Sequence, residues 1–147
     1  MKKVFALTAL AVAFMVVSAD SAFGQKVVSW YSGNPKETVR SLESHADKFS
    51  ESLNKALDAS KLDGTKAQDQ INGFVDQFEE ATDKLEQGVE DRNLAPGAYK
   101  VVLARARVIN KFMLKNKLGP AAEADWALVR NDINALGKSY GIAKVKW

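Results

Sequence analysis

The chain has 147 residues, no cysteine and a single histidine, His45. Without cysteine there is no disulfide, no thiolate zinc site, no haem attached through Cys-x-x-Cys-His and no lipid on an N-terminal Cys. One histidine cannot build a zinc site. No Glu-x-x-His pair is present to build a di-iron bundle site. No glycine-rich loop follows a strand pattern, so nothing is shaped to cradle a phosphate. Beyond the first 24 residues no apolar stretch approaches the ~20 residues a membrane span needs. Between Pro96 and Lys117 there is no acidic residue at all.

The opening segment, MKKVFALTALAVAFMVVSADSAFGQ, has the layout of a secretory signal peptide. Lys2 and Lys3 precede an apolar run from Val4 to Val17, and small residues follow. Cleavage is expected after Gly24, with Ala19 as the second candidate. Residues 25–147 are then an exported chain, periplasmic or secreted, of a size for one domain. Export permits disulfides, but this chain has none, so its core alone must hold it.

Charge divides by region. Residues 25–92 carry 9 Lys/Arg and 14 Asp/Glu, whereas residues 93–147 carry 10 and 3. Opposite signs in the two halves mean either an acidic partner for the second half or halves that pair with each other.

Four amphipathic stripes fill residues 34–140. The first helix opens at Asn34-Pro35-Lys36-Glu37, an N-cap followed by Pro at the first helical position. Its stripe is Val39, Leu42, Ala46, Phe49, Leu53 and Ala56, ending near Leu57. The second starts at Thr65 with Gln68 three residues on, the pattern of a capping box. It carries Ala67, Ile71, Phe74, Phe78, Ala81 and Leu85, and Gly73 interrupts it off the seam. The third opens around Pro96 with Tyr99, Val102, Ala106, Ile109 and Met113, widened by Leu103 and Phe112. The fourth opens at Pro120 with Trp126, Val129, Ile133, Leu136 and Tyr140, and stops at Gly141. The spacing is near 3.5 residues, with apolar residues at both heptad seam positions, as in a coiled coil. Similar lengths and short connections predict an all-α, antiparallel, up-down-up-down four-helix bundle.

Short aromatic tails flank the bundle. Residues 26–32 and 142–147 are expected to be extended and to pair as a small ribbon, with Trp30, Tyr31 and Trp147 capping the core. The acids of the second helix and the bases of the third, Lys100, Arg105, Arg107, Lys111 and Lys115, are expected to face one another across a seam and select the register. The same basic residues, with Trp30, Tyr31 and Trp147, form the candidate binding surface if a partner exists. In the fourth helix Asp125, Trp126, Arg130, Asp132, Asn134 and Tyr140 bracket a seam and read as structural. Arg130 is expected to meet Trp126 or Asn134, and Asp125 and Asp132 to reach Arg105 or Lys111.

The second half, YKVVLARARVINKFMLKNKLGPAAEADWALVRNDINALGKSYGI with a final Trp147, resembles a family of small secreted bacterial helical proteins of unassigned function. The residues that carry the likeness are Phe112, Met113, Pro120, Asp125, Trp126, Arg130, Asp132, Ile133, Asn134, Leu136 and Tyr140. Gly119 and Gly137 stand where that pattern has a capping Ser and an Ala. The resemblance implies export and a helical fold, and no catalytic residue.

Ser41 lies one turn before His45, with no third member of a triad identifiable from spacing. The sequence therefore points to a non-catalytic protein without cofactor or metal. Its expected role is protein–protein interaction, self-association or structure in the cell envelope. Two rivals remain open at this level: a carrier of an apolar ligand or haem in the bundle core, for which composition does not exclude a His/Met ligand pair such as His45 with Met113, and a binder of anionic polymer through the third helix. Nucleic acid is not expected, because no recognisable binding motif or interleaved aromatics accompany the basic residues.

Overall fold

The computed structural model describes residues 34–91, 96–142 and 145–147. The expected signal segment and the expected first aromatic tail, with Trp30 and Tyr31, lie outside the described residues. Four helices account for most of what is described: α1 (Pro35–Asp58), α2 (Lys66–Glu90), α3 (Pro96–Lys115) and α4 (Pro120–Ser139).

The ends of these helices follow from local chemistry. The Asn34 side chain accepts from the Lys36 amide, with Pro35 at the first position. Thr65 Oγ1 accepts from the Gln68 amide at 3.4 Å. Gln68 Oε1 accepts in return from the Gly64 amide at 2.7 Å. The capping box thus closes one residue earlier than the usual form, because the Thr65 amide is already bonded to Leu62 O. At the end of α4 the Ile142 amide bonds Gly137 O and the Gly141 amide bonds Lys138 O, with Gly141 at φ +76°. That is a Schellman motif, and it needs a residue tolerant of the left-handed region.

The helices stand at the corners of a square. α1 neighbours α2 and α4, and α3 neighbours α2 and α4, with no close backbone approach across either diagonal. The result is the expected all-α antiparallel four-helix bundle. α1 with α4 and α2 with α3 pack over the greatest length, while α3 and α4 approach closely over the least. The α1/α2 side and the α3/α4 side are therefore opposite faces of the molecule.

The predicted stripes supply the core, with small shifts. In α1 Leu57, rather than Ala56, is the last fully buried residue. In α2 Val75 and Thr82 are buried and Phe74 is only half-buried. Val75 lies on the same face as Ile71, Phe78, Ala81, Thr82 and Leu85. At the centre Trp126 lies 4.8 Å from Phe49 and 6.2 Å from Phe78, measured between ring centroids. The two buried polar side chains among the described residues are both satisfied. Asn110 Oδ1 accepts from Trp126 Nε1 at 3.0 Å, and Thr82 Oγ1 donates to Glu79 O.

The C-terminal tail departs from expectation. Val145 and Trp147 lie along the α3/α4 seam rather than across the bundle end. Arg107 Nε donates to Lys146 O, and Trp147 Nε1 donates to Asn134 Oδ1. The Trp147 ring meets Trp126 edge-on at 6.3 Å. The physical reason is that α3 and α4 diverge and leave apolar surface that the tail covers.

Gly137 is where Tyr99 and the tail come closest to α4. A Cβ there would stand 2.6 Å from Tyr99 Oη and 3.1 Å from Val145 Cγ2. Tyr99 is itself buried and donates to Ile133 O. Ala has the better helix propensity by ~1 kcal/mol, but overpacking here costs ~1–3. Gly137→Ala is expected to lower the melting temperature and detach the tail, seen as greater quenching of tryptophan fluorescence by iodide. Gly73→Ala, where nothing lies within 4 Å of the added atom, is expected to raise it. Equal shifts for the two variants would refute the close approach at Gly137.

Candidate functional site

The charged residues are distributed differently from the expected α2/α3 seam. Most acids of α2 turn toward α1. Glu86 lies 3.5 Å from Arg40, and Glu90 pairs with Lys36 and Arg40 at 3.0 Å each. Glu80 takes Lys84 on its own helix and feels Arg105 at longer range, the one resolved attraction between the two sets. The reason is rotational. The apolar stripe of α2 must face the core, and that leaves Asp76, Glu79, Asp83 and Glu86 on the flank toward α1.

That flank is an acidic seam. Glu43 and Asp47 of α1 face Glu79, Asp83 and Glu86 of α2, with Arg40 and Lys36 at one end only. Partial burial, then repulsion from Glu86, Asp83 and Asp47, pushes the Glu43 carboxyl up to about 7. Burial also raises Glu79, which the Ser50 hydroxyl partly offsets. Among the described residues no group of three or more His, Cys, Asp or Glu is placed to hold a metal ion.

The opposite side is basic. Lys100, Arg107, Lys111 and Lys115 are exposed and form no ion pair among the described residues, and Arg105 is half-buried. Standing among them are Val101, 49% exposed, Val108, 38%, and Leu114, 71%. Arg130 lines one groove with Trp126 and forms no hydrogen bond with Asn134, whose Oδ1 takes Trp147 Nε1. Its guanidinium lies 5.9 Å from the Trp147 ring centroid, and its Nε is buried with no hydrogen-bond partner. Two grooves that share Asn110 and Leu114 lie on this side, the first of them against Trp147. One, of about 470 Å³, is lined by Arg107, Lys111, Leu114 and Lys146. The other, of about 280 Å³, is lined by Asn110, Lys117, Glu123 and Arg130.

The remaining candidates resolve as structure. Asp132 does not reach α3: its Oδ2 lies 2.6 Å from His45 Nδ1, tying α4 to α1. Asp125 lines a groove between the same two helices, together with Lys48 and Lys55. Tyr140 packs on Tyr99 with ring centroids 4.9 Å apart. Ser41 Oγ, His45 and Asp132 come together, but not as a catalytic triad. Ser41 Oγ is 3.5 Å from the same Nδ1 that Asp132 engages. A carboxylate on Nδ1 requires the proton there, so that nitrogen cannot accept the serine proton.

Sequence reasoning missed the exposed Val101, Val108 and Leu114, although Val101 and Val108 are seven apart and off the stripe. It also missed Asn110, whose burial depends on Trp126 of another helix. The acidic seam had no signal in either helix alone, because α1 and α2 each contribute part of it.

No family model matches the chain, and neither a curated protein nor a solved structure matches it. No helix among the described residues is long and apolar enough to cross a membrane.

Proposed function

We propose that this is an exported, non-catalytic interaction protein of the cell envelope, and that it meets its partner through the outward side of α3 and the C-terminal tail. The observation that carries this reading is the company of the α3 cations. Four have no carboxylate within ion-pair distance among the described residues, and three large apolar side chains stand exposed between them. Large apolar groups exposed among charges gain ~25 cal/mol per Å² when covered, and such mixed patches mark association surfaces. The signal-peptide layout of residues 1–24 supports export. The shared nitrogen at His45 argues against hydrolytic chemistry. The rings of Phe49, Phe78 and Trp126 occupy the bundle centre, which argues against a carrier whose cargo lies there.

The test is site-specific photo-crosslinking in the cells that export the protein. A photoreactive residue at Val108 or Leu114 is expected to yield an adduct of defined mass, and one at Lys61, in the α1–α2 turn, is not. Adducts no more frequent at α3 than at Lys61 would sink the proposal. The same cations keep an anionic polymer as second reading. It predicts retention on heparin that falls steeply with salt, and no discrete protein adduct.

A further inference from the structure

We propose that the partner is a second copy of this chain, docked head to tail, with the basic α3/α4 side of one molecule against the acidic α1/α2 side of the next. The proposal rests on the reading that the α3 side is an association surface, and it names the occupant.

Three observations carry it. First, the order of the helices puts the two sides on opposite faces. One molecule cannot satisfy its own excess charges. A two-fold dimer through either side would bring like charge to like. Only a head-to-tail contact brings opposite sides together, and such a contact generates a ring or an open filament.

Second, each side is incomplete in the single molecule. On the acidic side Glu43, Asp47, Glu79, Asp83 and Glu86 have cations at one end alone, and after partial burial it is repulsion from Glu86, Asp83 and Asp47 that raises the Glu43 carboxyl. On the basic side Lys100, Arg107, Lys111 and Lys115 have no acid within ion-pair distance among the described residues. Joining the two relieves both, since complementary charge steers and orients association.

Third, the basic side has shaped seats for carboxylates. The groove beside Trp147 is lined by Arg107, Lys111 and Lys146, and a second groove that shares Leu114 with it carries Lys117 and Arg130 against the single acid Glu123. Leu114 and Trp147 stand at the same place as apolar contacts.

The experiment is sedimentation velocity on the mature protein at low ionic strength across a wide concentration range. The average mass is expected to climb with concentration beyond that of a dimer, and to fall back to monomer as salt is added. Arg107→Glu with Lys111→Glu, and separately Asp47→Lys with Asp83→Lys, are expected to leave only monomer. All four positions are exposed, and far-UV circular dichroism checks that each variant folds. A chain carrying all four changes is expected to associate again, because both charges have been exchanged. A wild-type protein that stays monomeric at every concentration would overturn the inference, as would association indifferent to salt and to either charge reversal. A discrete foreign adduct at Val108 together with a monomeric wild type would leave the α3 surface standing and remove only the second copy.

Discussion

Replacing Trp126 with alanine is expected to lower the unfolding free energy by about 3–5 kcal/mol and the melting temperature by about 10–20 °C. This side chain ties together all four helices and the tail. From α4 it lies against Phe49 of α1 and Phe78 of α2, donates to Asn110 of α3 and meets Trp147 of the tail. It is 3% exposed, so alanine opens a cavity where four helices converge. It also strands Asn110 Oδ1 in a buried site, which costs a further share of ~1–3 kcal/mol. Phenylalanine should fall between, keeping ring contact while losing the hydrogen bond. Urea or calorimetric unfolding of the three proteins checks the order. A loss of less than about 1 kcal/mol for alanine would mean the ring cluster is not the centre of the core.

Stability is expected to fall as pH rises from about 5 to 8, and Glu43→Gln is expected to remove part of that fall. Burial and the neighbouring carboxylates raise Glu43 in the folded chain from 4.5 to about 7. Between those values the native state holds a proton that the unfolded chain has released. The contribution is therefore complete below pH ~4.5 and lost as pH passes through 7. The shift corresponds to roughly 3 kcal/mol before solvent screening, and to about 1 kcal/mol for a carboxylate partly open to water. Glu79 is raised too and acts in the same direction. Glu90, held down by Lys36 and then Arg40, works in the opposite sense, below the ordinary carboxylate range. Subtracting the wild-type profile from that of Glu43→Gln isolates the one group. The variant should match wild type near pH 5 and exceed it by about 1 kcal/mol at pH 8. Equal profiles throughout would show that the acidic seam is too well solvated to perturb its members.

Helix positions were legible because each start and stop is written in adjacent residues. Asn34-Pro35, Thr65-x-x-Gln68, Pro120 and Gly141 act within one turn of themselves, so no tertiary contact is needed to read them. The apolar stripes were legible for a similar reason. Burying one face is the dominant gain on folding, and a period near 3.5 residues states which face that is. From these the bundle follows.

What each outward flank meets is a different matter. Period identifies the buried face of α2 but not which neighbour its charged flanks will see. That depends on how each helix rotates about its own axis and on which helix occupies each corner. A helical wheel cannot tell that Glu79 and Glu86 turn to α1, or that Asp132 turns to His45 instead of Arg105. The candidate surface was therefore half-read, with its cations named and its exposed Val101, Val108 and Leu114 left out.

The sequence by itself determined four helices, their caps, their buried faces and an uneven distribution of charge, all properties of residues within a few turns of one another. Only the tertiary structure decided that the charges lie on opposite sides of the bundle without cancelling, and that the tail covers the α3/α4 seam. The reason is that burying apolar surface sets helix rotation at a gain of several kcal/mol per large side chain. An exposed ion pair offers about 0–1 kcal/mol, too little to turn a helix toward its opposite charge.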